Sequence, residues 1–277
     1  MPAPASAHPP RQRWTLDSID WDAVSANGGS GDDALFYLVA AASFMEITTD
    51  LYTRNLIDQF ADDEEIATWL DRHWLPEELQ HGLALRRYVE RAWPDFAWEQ
   101  VYGEFLAEFR AYCTAEGLQP TRSREMASRC VVEMGTASYY TTLSRLSPDP
   151  VLADLARRIA DDEVRHYKHF FRYFRRFRAD EKTGRIAVSR ALWSRLAMID
   201  GEDSRVAMKH LYRARHPNRH FDDRVYRRLR RGSRDLIRPH FPHKMCVRML
   251  LKPLGLGPRA HHVVAPLVEG LARRLVP

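Results

Sequence analysis

Apolar positions along the chain recur at helical spacing, and no segment alternates in the way a half-buried strand does. The stretch "ALFYLVAAASFMEI" (34–47) is apolar nearly all round, which marks a helix buried on most sides. The pattern predicts helices at about 33–60, 62–92, 97–117, 121–146 and 150–180. Pro76 interrupts the second; it removes a backbone donor and predicts a kink or a fresh start. Gly117 followed by Pro120 stops the third, and "SPDP" (147–150) turns the chain between the fourth and fifth. Beyond them, about 184–275 reads as shorter helices broken at "HPN", "RPHFPH" and "KPLGLGP". The expected fold is all-α: a four-helix bundle with a crossover helix over 31–180, and a helical extension over 181–277 packed on that bundle.

Composition adds context to this frame. With 277 residues, 45% of them hydrophobic, the chain can bury a substantial core. Residues 1–30 read as a Pro-, Ala- and Ser-rich disordered tail without the apolar centre of a secretory signal, then a docking segment, "WTLDSIDWDAV", and a flexible Gly-rich loop. The longest apolar stretch, Ala34 to Met45, is too short to cross a bilayer, so no transmembrane segment is expected. Three scattered cysteines fit neither a disulfide framework nor a zinc site, and a reducing cytoplasm is the expected location.

Charge is unevenly shared. Residues 1–180 carry 20 Lys+Arg against 29 Asp+Glu, whereas residues 181–277 carry 22 against 8, which together give the net +5. The densest basic run, "YRRLRRGSRDLIR" (226–238), reads either as a solvated helix face or as a surface for an acidic protein, an anionic membrane or nucleic acid. It lacks the interleaved aromatics of a nucleic-acid-binding surface. "CVRMLLKPLGL" (246–256) is read as core, with a membrane-surface segment as the alternative.

The chemistry lies in four places. "WLPEELQHG" (74–82) sets Glu78 and His81 three residues apart, and "IADDEVRHY" (159–167) repeats the arrangement as Glu163 and His166. Residues i and i+3 share a helix face, so each pair can reach one ligand. Glu46 and Glu133 sit singly inside apolar helical runs, where an unpartnered carboxylate costs several kcal/mol or stays protonated. Glu46 precedes Glu78 by 32 residues and Glu133 precedes Glu163 by 30, an interval that brings such positions level on two antiparallel helices. Four carboxylates and two imidazoles suit two divalent ions, with iron or manganese favoured over zinc by the mixed oxygen and nitrogen set. One Glu from each of two helices, with Glu-x-x-His from each of the other two, is the ligand pattern of ferritin-like di-iron proteins.

On these residues the chain resembles the ferritin-like di-iron carboxylate proteins, and most closely the soluble acyl-carrier-protein desaturases, over about residues 33–180. "WLPEELQHG" is similar to that family's W-x-x-E-E-x-x-H-G, and "IADDEVRH" to its D-E-x-R-H. "EMGT" matches a Glu-x-x-Thr in which Thr136 would take the place of a hydroxyl that handles protons during oxygen activation. Backbone bonding within its own helix is the alternative for that hydroxyl. Glu77 and Asp162, each just before a ligand Glu, are candidate acceptors for the other N–H of a ligand histidine, and Asp50 and Trp74 are further candidates for this outer layer. Two neighbouring branches fit less well, because Ile159 and Leu85 stand where the arylamine oxygenases have a histidine and the ribonucleotide reductases a tyrosine.

The resemblance implies an enzyme that holds two iron ions through Glu46, Glu78, His81, Glu133, Glu163 and His166, uses O2 as co-substrate and draws electrons from a ferredoxin-like donor. It would desaturate, hydroxylate or otherwise oxidise an organic small molecule or a carrier-bound acyl chain. An acidic partner at the basic C-terminal region and a homodimeric assembly are also expected. Phe44, Tyr139, Tyr140 and Phe170 are candidate walls of a substrate cavity. The rival expectation is a ferritin-like iron-oxidising and iron-handling protein with no organic substrate.

Overall fold

The computed structural model describes residues 13–30, 33–113, 117–198 and 202–275, and every regular element among them is helical. The tail expected over residues 1–12 lies outside the described residues. Twelve α-helices follow one another among the described residues: α1 (Asp33–Ile47), α2 (Thr49–Gln59), α3 (Glu64–Trp69), α4 (Leu75–Ala92), α5 (Trp98–Phe109), α6 (Arg122–Leu146), α7 (Pro150–Asp180), α8 (Arg185–Ala197), α9 (Glu202–Arg215), α10 (Asp223–Ile237), α11 (His243–Leu251) and α12 (Pro258–Leu275). No single helix among the described residues is long and apolar enough to cross a membrane.

Local chemistry sets the ends. Asp149 caps α7 by accepting from the Val151 amide (2.8 Å), with Pro150 at the first helical position, where its missing N–H costs nothing. Thr121 caps α6 and Asp222 caps α10 in the same way. The helix expected over 33–60 breaks at Thr48, in the β-branched run Ile47-Thr48-Thr49. The Thr48 hydroxyl donates back to the Met45 carbonyl (2.8 Å), and α2 leaves α1 at 41°. Ahead of α4, residues Leu70–Trp74 form a π-helical turn, and Pro76 falls in the first turn of the new segment. α5 is shorter than expected: it ends at Phe109 and tightens into a 3-10 turn at Arg110–Tyr112, while residues 114–116 lie outside the described residues.

α1 pairs with α4 and α6 with α7, and both pairs run antiparallel. Phe36, near the start of α1, meets Trp93 just past the end of α4 (5.3 Å between ring centroids), whereas Glu46, near its end, lies beside Gly82. In the other pair Ser144 donates to the Ala153 carbonyl at the turn (2.8 Å), and the Ser123 amide reaches Glu181 at the far end (3.2 Å). The link from α4 to α6 travels back along the molecule. Its helix α5 lies on α1 through Phe44, Trp98 and Phe105, and Gln59 then holds the Gln119 carbonyl (2.9 Å).

Residues 13–30 lie across both pairs. Trp14, Ile19 and Trp21 are buried; Gln80 of α4 donates to the Trp14 carbonyl (3.2 Å), and the Ser25 amide donates to Asp149 (2.9 Å). The helices after residue 180 cover outer faces of the same core. α8 buries Val188, Ala191 and Leu192, α9 ties Arg215 to Asp33 (2.7 Å), and Tyr167 of α7 donates to the Met249 carbonyl of α11 (2.6 Å). Cys246, Val247, Met249 and Leu251 are buried, so the apolar stretch after residue 246 is core. On α10, Arg227, Arg228, Arg231 and Arg234 face solvent.

Candidate metal centre

Midway along the paired helices, side chains from α1, α4, α6 and α7 converge in the interior. Two groups of buried donors result: Glu46, Glu78, His81 and Glu163; and Glu78, Glu133, Glu163 and His166. Within each group one ligating atom from every residue lies within 4.8 Å of the others. Glu78 and Glu163 belong to both. Glu133, Glu163, His81 and His166 are each at most 1% exposed.

Close approach of α1 and α4 makes the convergence possible. A methyl group at Gly82 would stand 2.5 Å from the Ile47 side chain and 2.7 Å from the Ile47 backbone nitrogen. The glycine that follows His81 therefore lets α4 lie against the end of α1, bringing Glu46 level with Glu78. In the sequence Gly82 is only the last letter of W-x-x-E-E-x-x-H-G. Its cause is steric.

Each histidine aims Nδ1 into the cluster and turns Nε2 outward. His81 Nδ1 lies 3.3 Å from Glu163, and His166 Nδ1 lies 3.0 Å from Glu78 and 3.6 Å from Glu133. The outward nitrogens are held across the pairs: His81 Nε2 by Asp162 at 3.2 Å and His166 Nε2 by Glu77 at 2.7 Å. Arg165 ties the two acceptors together, bonding Asp162 on its own helix and reaching Glu77 on α4 (3.4 Å). Trp14 Nε1 donates to the same Asp162 oxygen (2.8 Å), and its ring stacks parallel to His81 with centroids 6.0 Å apart. Nothing local in the sequence links Trp14 to this site, whereas Arg165 was visible as the Arg of D-E-x-R-H.

Tyr140 donates to Glu46, and the Thr136 hydroxyl lies 2.7 Å from Glu163 as well as near its own helix's carbonyls at Val132 and Glu133. Tyr140 is thus a hydrogen-bond donor to the cluster, a role that its reading as a cavity wall did not include. Tyr139 donates to the Leu38 carbonyl (3.0 Å), and Phe44 and Phe170 are wholly buried in aromatic packing. Two residues expected in the outer layer stand apart. Asp50 lies on α2 beyond the bend at Thr48, and among the described residues it makes no hydrogen bond to the cluster. Trp74 is core, packed edge-on against Phe170 (5.5 Å), and its indole N–H meets no acceptor.

Electrostatics fit a cation. Burial, with the neighbouring Glu163 charge, pushes Glu46 and Glu78 above the usual carboxylate range, and burial carries Glu133 up to about 8. Burial also opposes the charge on Glu163, but the close approach and charge of His166 and His81 outweigh it and hold that carboxyl down. For His81, burial works against protonation, yet Asp162 and Glu163 raise it to about 10. In this balance protons occupy positions that a metal would take. His81 Nδ1, His166 Nδ1, Glu133 Oε2 and Glu163 Oε1 are buried without a hydrogen-bond partner, so their lone pairs remain for coordination once protons leave. Compared with models of known protein families the chain matches none, and no curated protein matches it in sequence.

Proposed function

We propose that the chain is a ferritin-like, O2-dependent di-iron oxidoreductase acting on an organic substrate, desaturating or hydroxylating it. The observation that carries this reading is the overlap of the two donor groups: with Glu78 and Glu163 common to both, the six side chains would hold two neighbouring ions. Glu46 and His81 would complete one site, Glu133 and His166 the other. Four carboxylates balance two divalent ions, and the oxygen-rich set with one imidazole each suits iron or manganese. Bound there, iron would supply O2 reduction and so the means to break an unactivated C–H bond.

The protein's own contribution is positional and electrostatic. Asp162 and Glu77 fix each imidazole with Nδ1 inward. Tyr140 orients Glu46, and Thr136 holds a hydroxyl proton at Glu163 Oε2. Trp14 and Trp69 cover the histidines from outside, Trp69 meeting the edge of His166 at 6.4 Å, and so keep water from the site. The electrons for such a reaction would come from a ferredoxin-like donor, which belongs to the proposal.

Metal analysis of the purified chain should find about two iron ions per chain. Glu133→Ala and His166→Ala should each lower that content. Mass spectrometry of acyl, amine and aromatic substrates after aerobic turnover with a chemical reductant should show loss of two hydrogens or gain of one oxygen in one class. Many irons per chain with every substrate unchanged would replace this reading with iron storage.

A further inference from the structure

Apolar exposure is concentrated in the basic extension. Among the described residues eight large hydrophobic side chains are exposed, and six of them lie on α8, at its C-terminal cap or on α12. Trp193 (73%), Ile186 (72%) and Leu267 (69%) are the most open. On α12, Val263, Leu267 and Leu271 follow one another at four-residue steps, forming one continuous stripe. Val264, Val268 and Ala272, on another side of the same helix, are only half-buried. α12 thus has apolar surface on two sides and buries neither completely. α8 repeats the design: Val188, Ala191 and Leu192 point inward while Ile186 and Trp193 point out.

The charges beside these stripes are of one sign. α8 contains no acid; Arg190 lies beside the open side chains, whereas Arg195 turns in to Ser128 of α6 (2.8 Å). α12 contains Arg259, Arg273 and Arg274 and a single acid, Glu269, which Arg273 holds at 2.6 Å. The turn at 252–255, just ahead of α12, is held at the start of α8, where Arg185 bonds the Gly255 carbonyl (3.0 Å), and by Arg178 of α7 at the Pro253 carbonyl (2.9 Å). A second copy of the chain would bring the same cations to this face, and like charges disfavour that pairing. An anionic bilayer answers both features: its acyl boundary takes the apolar stripe, its headgroups take the arginines, and tryptophan favours the interface between them.

We propose that α8 and α12 form a peripheral docking surface for an anionic membrane. α12 lies in the interface plane on its Val263–Leu267–Leu271 stripe, with Trp193 at headgroup depth. Neither helix crosses, as neither is long and apolar enough. The inference is independent of the metal centre.

Sedimentation of the full-length chain with phosphatidylcholine vesicles, with and without phosphatidylglycerol, tests it. Binding should require the anionic lipid and weaken with salt, and Leu267→Asp should lower the partition coefficient at least about ten-fold. Leu267 is exposed, so the variant should keep its helicity and metal content, which circular dichroism and metal analysis check. The other six of the seven tryptophans are buried, so a blue shift of the emission on vesicle binding should report Trp193 and vanish in Trp193→Phe. The proposal is overturned by failure to bind anionic vesicles, by equal binding to both lipid mixtures, or by undiminished binding of Leu267→Asp. A concentration-dependent dimer that Leu267→Asp abolishes, without vesicle binding, would assign the face to a second copy.

Discussion

Glu77 and Asp162 each hold the histidine of the opposite helix pair: Glu77 of α4 bonds His166 of α7 (2.7 Å), and Asp162 of α7 bonds His81 of α4 (3.2 Å). The exchange welds the two pairs at the level of the cluster. Removing either acceptor frees an imidazole to rotate away from its carboxylates. Asp162→Asn and Glu77→Gln should each weaken metal affinity about 10–100-fold, read by competition with a chromogenic chelator. Trp14→Phe, which removes one donor to Asp162 and leaves His81 bonded, should have a smaller effect in the same direction.

Metal loading should depend on pH in a defined sense. Glu133, up to about 8, and His81, up to about 10, both hold protons at neutral pH in the metal-free chain. An incoming ion must displace them, so affinity should rise from about pH 6 to about pH 8 with protons released. Titration calorimetry in buffers of different ionisation enthalpy reads the number released. No proton release would mean that the ions bind elsewhere.

In the metal-free chain the sign reverses for Asp162. Burial opposes its charge, but His81 and Arg165 bring it from 3.8 down to about 2. Its contribution to folding is present above pH 3.8 and is lost as the pH falls toward 2. Acid unfolding followed by circular dichroism should therefore begin at higher pH in Asp162→Asn than in the parent.

Gly82→Ala should be costly although it adds one methyl group in the middle of a helix. The new carbon would meet backbone, which cannot rotate away as a side chain can. Overpacking of this kind costs about 1–3 kcal/mol. The displacement falls at Glu46, so thermal stability and metal content should drop together; a variant that lost neither would show that the helices can part without harm.

Thr136→Val should separate binding from turnover. The hydroxyl lies 2.7 Å from Glu163 Oε2, and valine keeps its shape while removing the proton. Metal content should stay near the parent's, while single-turnover rates should fall about 10²-fold or more, the loss expected for a proton-handling group.

The spacing within a helix was legible, and relations across the fold were less so. Glu78 with His81 and Glu163 with His166 could be placed on shared faces because the helical period alone dictates it. The common interval of Glu46 to Glu78 and Glu133 to Glu163 carried the reading across two hairpins. Asp50 would lie one turn beyond Glu46 on a continuous helix, but the chain bends at Thr48 and carries it onto α2. Trp74, at the same four-residue step from Glu78, packs on Phe170, since it closes the π-helical turn ahead of α4, where the wider winding rotates the face. Trp14 had no local signal, as its partner lies 148 residues away.

That separation orders events during synthesis. Trp14 leaves the ribosome ahead of every helix of the bundle, and its hydrogen-bond acceptor on α7 is added only after α1, α4 and α6 are complete. The segment can meet Gln80 once α4 is made, but its indole has no acceptor until the last wall of the cluster emerges, and only then is it fixed over His81.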